Sequence, residues 1–331
     1  MQLNNNEFFE ATNRKLNRLG LGCMGMSCHR NPENSVKTIH KALECGITLF
    51  NTGEFYNSGE SEMIVGQALK GVKRDDYFLS VKFGVLPQTG GGIYGLDIKP
   101  FNIKGHLAYS LSRLGMDYVD LYQPARQDTQ IPVEEVVGEI SKLVDEGYVR
   151  HIGLSMVDAD TLRRACKVHH IHTVEMSYSL IDRKIENELI DTAKELGVRV
   201  LAFGTIGHGL FADNVLDEID NNPRIARGML SPEHRKNNLP MIQNLKEIAD
   251  QKGITLSQLA LAWSLAKYDN IQSLVGTTNP EHLQSAVDAL DVELATDDIA
   301  NIEGAVNADK ISGVGMRNFT FTDGKMSIAH G

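Results

Sequence analysis

Val133-Glu134-Glu135-Val136-Val137-Gly138-Glu139-Ile140-Ser141-Lys142-Leu143-Val144-Asp145-Glu146-Gly147-Tyr148-Val149-Arg150-His151-Ile152-Gly153-Leu154-Ser155 is the stretch that decides the fold. Over Val133–Glu146 the apolar residues recur at three-to-four spacing, the pattern of a helix with one buried face. Gly147 follows, and glycine reaches the left-handed conformation that closes a helix C-terminus. The run His151–Leu154 then reads as a short buried strand. Helix, glycine and strand make one unit, and its recurrence along the chain sets the architecture.

Outward from it, strand-like runs fall at Leu19–Cys23, Thr48–Asn51, Tyr77–Phe83, Tyr118–Tyr122, Thr173–Met176, Val198–Phe203 and Ile271–Val275, eight strands with His151–Leu154. Between them lie helical patterns over Asn34–Glu44, Glu60–Leu69, Ile103–Leu114, Ala159–Val168, Lys184–Leu196, Pro240–Lys252 and Pro280–Leu290. Gly46, Gly115, Gly197 and Gly253 stand where Gly147 stands, just past a last apolar turn. Eight β–α units without a break in composition predict an α/β fold, a single-domain (β/α)8 TIM barrel over residues 1–331. A pair of doubly wound domains is the alternative. From about Gly304 a C-terminal tail is expected to add a helix and a lid segment.

The 331 residues are 42% hydrophobic, too apolar for a disordered chain. A formal charge of −10 without any Lys/Arg block excludes a nucleic-acid binder, because phosphate neutralisation needs a concentrated basic face. Met1–Asn6 lacks the charged and apolar regions of a signal peptide, and the most apolar stretch, Leu259–Ala266, is too short to span a bilayer. Cys23, Cys28, Cys45 and Cys166 form no CxxC pair and read as reduced thiols of a cytoplasmic protein rather than a metal site. The expected partner is a small molecule, with no nucleic acid and no membrane; the oligomeric state is not legible.

Two long connections, Gly84–Phe101 and Gly204–Leu239, follow strand C-terminal ends, the face on which barrels build their sites. Within the first, Gly90-Gly91-Gly92-Ile93-Tyr94-Gly95 satisfies GxGxxG. A dinucleotide fingerprint puts a helix immediately after those glycines, and here no helix starts until about Phe101, so the segment reads as a loop. Val275-Gly276-Thr277-Thr278-Asn279-Pro280 fits an anion better: a glycine turn, two hydroxyls, and an Asn cap with proline at the first helical position. An ordinary capped helix would look the same.

Lys82 ends the apolar strand Phe78–Phe83, where a buried ammonium needs a partner or carries an acid–base role, unless it snorkels to solvent. Tyr56, in the turn after Thr48–Asn51, faces the same end of the barrel. A phenol beside an ammonium is a plausible proton donor to a carbonyl oxygen.

These residues in this order resemble the aldo-keto reductase family, (β/α)8 barrels that bind NADP(H) and interconvert carbonyls and alcohols. The likeness runs from Leu19-Gly20-Leu21-Gly22-Cys23-Met24-Gly25-Met26 to Gly276–Leu290. Its most specific parts are Asn51-Thr52-Gly53-Glu54-Phe55-Tyr56-Asn57-Ser58-Gly59-Glu60-Ser61-Glu62, Leu114–Tyr122 and Gly147–Ser155. The resemblance implies a catalytic tetrad in which Tyr56 donates the proton and Lys82 tunes it, while the aspartate position holds Asn51 and the histidine position holds Ala125. Asn51 accepts a hydrogen bond but brings no negative charge, so Lys82 is expected to lose its proton more readily. Ala125 removes a donor to the substrate carbonyl and leaves room.

Pro124-Ala125-Arg126 is similar to a pyridoxal-reductase-like branch of the family, which puts Ala125 and Arg126 in the substrate pocket. His29, in the loop after the first strand, is a candidate substitute for the missing histidine or a solvated loop residue. The cofactor residues implied are Ser155, Glu175 and Phe203 at the nicotinamide, and Gly276, Thr277, Thr278 and His282 at the adenosine end. Here Met156 replaces the usual asparagine, Glu175 the usual glutamine, and Ser285-Ala286 the usual Glu-Asn pair. NADP(H) is expected over NAD(H), with His282 as the one basic group near a 2′-phosphate. The expected activity is NADP(H)-dependent interconversion of an aldehyde or ketone with an alcohol. The alternatives are a catalytically impaired cofactor-binding accessory barrel, or a different reaction at the altered tetrad.

Overall fold

The computed structural model describes residues 18–90, 92–219, 228–306, 310–313 and 319–328. Met1–Asn6, Gly91 and parts of the second long connection and of the tail lie outside the described residues.

Eight parallel strands close into a barrel. In chain order these are β1 (Leu19–Gly22), β2 (Leu49–Gly53), β3 (Phe78–Phe83), β6 (Val119–Pro124), β7 (Val149–Ser155), β8 (Ile171–Ser177), β9 (Arg199–Phe203) and β10 (Ile271–Gly276); β4 (Val85–Pro87) and β5 (Ile93–Leu96) stand apart as a hairpin after β3. Closure comes from β1 pairing β10, with Gly22 opposite Gly276, and it removes the doubly wound alternative. All eight expected strands are present, most of them longer by a residue or two at the C-terminal end, where backbone pairing carries on into the polar residues of the site.

The helices wrap the barrel because each buries one stripe. In the helix Val133–Asp145 the buried residues are Val133, Val136, Val137, Ile140 and Leu143, and the opposite face is acidic and solvated. Gly147 has φ +83°, the left-handed turn its position required. Two expectations need correction. Lys184–Leu196 is not one helix but a 3-10 turn, Lys184–Asn187, followed by Leu189–Glu195. Glu186 in that turn is claimed by the Tyr178 hydroxyl at 2.7 Å and by both sides of the Arg183 guanidinium, so tertiary contacts set the local backbone. The helix expected from Pro240 begins at Pro232, which takes the N-terminal place, and Pro240 lies inside it. The apolar run Leu259–Ala266 belongs to a buried helix, Leu256–Lys267, opened by a Thr255–Gln258 capping box.

The tail also differs from expectation. The helix near Gly304 is already under way at Thr296, and the described part of the tail beyond it includes a β-hairpin, β11 (Phe319–Thr322) and β12 (Lys325–Ile328). Its two-residue turn is Asp323-Gly324, both at positive φ, the strongest short-range hairpin signal in a sequence. β12 adds to the β4–β5 hairpin in the order β11-β12-β5-β4. The GxGxxG string thus falls between and within the strands of a hairpin, with Gln88 donating to the Gly92 carbonyl at 3.0 Å, and β5 rather than a helix follows Gly92. Asp128, in the loop after β6, accepts the backbone N–H groups of Asp323 at 3.0 Å and Gly324 at 2.6 Å. This small sheet is tied to loops after β3 and β6, at the C-terminal end of the barrel.

Candidate active site

Parallel register brings inward-facing residues of neighbouring strands to common levels. Asn51 lies opposite Ser80, Lys82 opposite Gln123, and Ser155 opposite Glu175. Ser80 and Lys82 are two apart on β3, so both side chains point inward. The result is a buried polar knot. Lys82 Nζ donates to Asn51 Oδ1 at 2.5 Å and to Glu175 Oε1 at 2.5 Å. Glu175 Oε2 accepts from Asn51 Nδ2 at 2.7 Å and Gln123 Nε2 at 2.6 Å, and Asn51 Nδ2 also reaches Ser80 Oγ at 3.1 Å.

Gly153 makes room for this knot. A Cβ there would lie 2.7 Å from Gln123 Oε1 and 3.0 Å from Thr173 Oγ1. Only the missing side chain lets Gln123 lean across to Glu175.

Tyr56 opens the turn Tyr56–Gly59, in which Asn57 and Ser58 both have positive φ. Asn57 tolerates that conformation better than most residues and uses its amide to donate to the carbonyls of Met26 at 2.7 Å and Met24 at 3.2 Å. The turn is thereby pinned to the loop after β1, and Tyr56 sits with its ring centroid 5.1 Å from Lys82 Nζ. Burial raises the Tyr56 phenol above its ordinary range, and the Lys82 ammonium is the strongest influence pulling it back.

For Lys82 burial opposes the charge, yet Glu175, Tyr56 and their hydrogen bonds outweigh it, and the lysine is raised above its usual value. This departs from the expectation that Asn51 would leave Lys82 easier to deprotonate. The missing charge at position 51 is supplied from position 175. Glu175, expected beside a nicotinamide, has both oxygens engaged by Lys82, Asn51 and Gln123.

The other expected residues divide into two groups. Ala125 is buried directly after β6, its N–H donating to Phe83 O at 2.9 Å. Arg126 folds back on the Ala125 carbonyl at 2.6 Å; burial lowers its pKa, and it feels the charges of Tyr56 and Glu175, so it faces the same centre. Ser155 is buried at the end of β7 with its Oγ unpartnered. The next residue, Met156, holds φ +54°, a strained conformation for that side chain. Phe203 ends β9 partly exposed. His29 stands apart: its ring is exposed and pairs with Glu60 at 3.3 Å rather than with the Lys82 knot.

At the end of β10, Gly276 has open space where a Cβ would be. Thr277 Oγ1 accepts the Asn279 N–H at 3.0 Å and lies 3.3 Å from His282 Nδ1. Thr278 packs against Gly25, where an added Cβ would meet its methyl at 3.4 Å. Asn279 caps the helix Pro280–Asp288, as its spacing predicted, with Glu281 in the first turn.

Gln123 and Ser80 are the members of the knot that sequence reading passed over. Their signal was present: polar residues inside otherwise apolar strands that the register would aim inward. A (β/α)8 barrel whose strand C-termini hold a phenol beside a buried, charge-paired lysine is a barrel enzyme equipped to move a proton. The chain belongs to the aldo/keto reductase family, whose model matches residues 18–307. It is 33% identical over 305 residues to a probable aldo-keto reductase of Glycine max, covering 90% of this chain and 88% of that one. Among solved structures it is similar to a glycerol dehydrogenase of Gluconobacter oxydans, with a TM-score of 0.76, 25% identity, and 87% and 90% of the two chains covered. An aldo-keto reductase of Klebsiella pneumoniae, solved in complex with NADPH, matches with a TM-score of 0.70 and 25% identity over 90% and 95% of the two chains. Family membership makes the chain an oxidoreductase of carbonyl–alcohol chemistry.

Proposed function

We propose that the chain is an NADP(H)-dependent reductase that interconverts a small aldehyde or ketone with its alcohol, with Tyr56 as proton donor. The observation that carries this is the Tyr56 ring 5.1 Å from a Lys82 ammonium that is buried and paired. A buried cation of that kind favours the phenolate that forms when the tyrosine gives up its proton. Asn51 orients Lys82 through the bond at 2.5 Å, and the Phe50–Tyr77 and Phe55–Tyr56 ring contacts brace the strand and turn that carry both. Arg126 and Ala125 line the substrate side.

The residues present fit a nicotinamide dinucleotide. The orphaned Ser155 hydroxyl suits an amide-bearing ring, Phe203 offers a flat face, and Gly276, Thr277, Thr278 and His282 form an open turn at the other end. Bound, NADP(H) would supply the hydride that the side chains cannot. NADP(H) is preferred to NAD(H) on the relative solved with NADPH, and His282 is the basic side chain that the helix Pro280–Asp288 brings to that turn. Cysteines free of disulfides and no described helix long and apolar enough to cross a membrane suit a cytoplasmic site of action.

Fluorescence titration with NADPH and NADH, then turnover on an aldehyde panel, tests the proposal. Tyr56→Phe is expected to bind nucleotide as before and to lose turnover about 10²–10⁴-fold. Tight binding with turnover indifferent to Tyr56 would favour the accessory barrel instead, and failure to bind either nucleotide would defeat both readings.

A further inference from the structure

We propose that Glu175 is the positioning residue that keeps Lys82 charged, so that the proton-donor unit runs on a carboxylate at position 175 with its amide partner at position 51. The proposal rests on the reductase reading for its kinetic consequence but not for the ion pair itself.

The geometry is nearly symmetric in the two positions. Asn51 and Glu175 each place one oxygen 2.5 Å from Lys82 Nζ, and they bond each other at 2.7 Å. An amide and a carboxylate could exchange places while keeping these three contacts, because the pair needs one N–H donor between them and two oxygens on the lysine; Gln123 would then turn its amide over, so that its unpartnered oxygen accepts from the new N–H at position 175. The site therefore requires one negative charge in this knot and is indifferent in principle to which strand brings it. In this chain β8 brings it, from a residue that Gln123 and Asn51 hold in place.

Surrounding groups do not offer a substitute. Cys23, from the end of β1, is a buried thiol pushed up to about 12 by burial and stays neutral. Ser80 and Gln123 are neutral, Tyr56 is a phenol held protonated by burial, and Arg126 is a second cation facing the same centre. With Glu175 neutralised, Lys82 would be a buried ammonium without a counter-ion, and its proton would be lost readily.

The consequence is that Glu175 sets the pH range in which Tyr56 can work. As pH rises, the charge on Lys82 is kept longer than it would be beside two amides, and Tyr56 keeps its partner. The same argument separates Glu175 from a residue that only packs: Gln has the same shape, so a packing role would survive Glu175→Gln.

The test uses Glu175→Gln and the exchange variant Asn51→Asp/Glu175→Gln in the full chain. Lys82 is titrated directly by NMR of the side-chain Cε–Hε groups in lysine-labelled protein, with its signal assigned by its absence in Lys82→Met. The pH profile of kcat on the best aldehyde is measured beside it. Glu175→Gln is expected to move the Lys82 midpoint down by about one unit or more, and the alkaline limb of kcat with it. The exchange variant is expected to return both.

An unmoved Lys82 midpoint in Glu175→Gln would overturn the proposal, as would a folded exchange variant whose midpoint stays low. If Glu175→Gln alone does not fold, the exchange variant carries the decision by itself, since it restores the charge. A restored midpoint with a kcat profile that never moved would reduce Glu175 to a structural ion pair and overturn its role in positioning. Wild-type protein that reduces no carbonyl while Lys82 titrates as expected would instead defeat the reductase reading and leave the ion pair standing.

Discussion

Asp128 holds Gly324 across the top of the barrel: its Oδ2 accepts the glycine N–H at 2.6 Å while Oδ1 takes the N–H of Asp323 at 3.0 Å and of Gln130 at 2.9 Å. One buried carboxylate thus grips the turn of the tail hairpin and the loop that begins at Ala125. Phe321, fully buried, is seated in the same contact, and its carbonyl accepts from Thr129 at 2.9 Å.

Asp128→Ala is expected to release the hairpin. Hydrogen bonds to a charged acceptor are worth about 1.5–3 kcal/mol each but are not additive, so a loss of roughly 2–3 kcal/mol follows for the docked tail. Limited proteolysis provides the measurement, with cleavage in residues 310–328 expected to accelerate well before the barrel itself melts. Cleavage at the wild-type rate would mean that strand pairing alone holds the tail. Because the hairpin is docked through Asp128 and Thr129 on the loop that begins with Ala125 and Arg126, KM should rise more than kcat falls.

Gly153→Ala tests how finely the polar knot is fitted. The new methyl would sit 2.7 Å from Gln123 Oε1, 3.0 Å from Thr173 Oγ1 and 3.1 Å from Leu121 Cδ1. Gln123 must swing away, and Glu175 then loses one of its donors. Overpacking of this kind costs about 1–3 kcal/mol, read as a lower midpoint in urea. Turnover should fall with it, whereas Gly138→Ala, inside a helix and with open space for the methyl, should leave turnover unchanged and raise the midpoint slightly.

The barrel was legible because its signal is repeated: every strand lies between turns of known chemistry, and glycines such as Gly115 and Gly147 mark helix ends wherever the chain goes next. Tyr56 and Lys82 were legible because they stand close to strand ends, and the barrel topology converts that position into proximity; Asn51 was legible only through the family resemblance. What sequence left dark was the partner of Lys82. Glu175 lies 93 residues away, and only the barrel's curvature brings β8 across from β3. The tail was misjudged for a different reason: Asp323-Gly324 is a strong local hairpin signal, but strands of four residues are stable only when another sheet edge receives them. His29 shows the converse, since a loop histidine at the right end of the barrel can still turn outward to a nearer carboxylate, Glu60.

His151 and His172 stack with ring centroids 4.4 Å apart, with Phe78 5.9–6.0 Å from both. Burial lowers both, His151 to about 4 and His172 well below its ordinary value of 6.5, and the neighbouring guanidinium groups of Arg150 and Arg199 act in the same direction. These histidines are neutral in the fold and bind protons more readily once unfolded. Their contribution is therefore complete above about 6.5 and is lost progressively as pH falls from there toward about 4. On the order of 2–3 kcal/mol should disappear between those limits for His151 alone. Urea unfolding at pH 7.0 and at about pH 4.5 measures it, and His151→Phe, which keeps a ring against Phe78, should flatten the dependence. An equal loss in that variant would assign the acid sensitivity to other groups.

Arg126 is the last cation of the centre, and its effect on Tyr56 has a definite sign. Burial raises the Tyr56 phenol, while Lys82 and Arg126 both pull it down. Arg126→Met keeps the apolar stem that packs beside Ala125 and removes the charge, so the phenol should rise further. A weaker acid gives its proton less readily, so carbonyl reduction at pH 7 should slow, by less than about tenfold because Arg126 is the weakest of the influences on the phenol. At the same time the alkaline limb of the reduction profile should move to higher pH, because the donor stays protonated longer. These two changes run in opposite senses, which a general loss of structure would not produce. A profile that drops uniformly without moving would show that Arg126 holds the substrate and leaves Tyr56 untouched, and KM would then carry the whole effect.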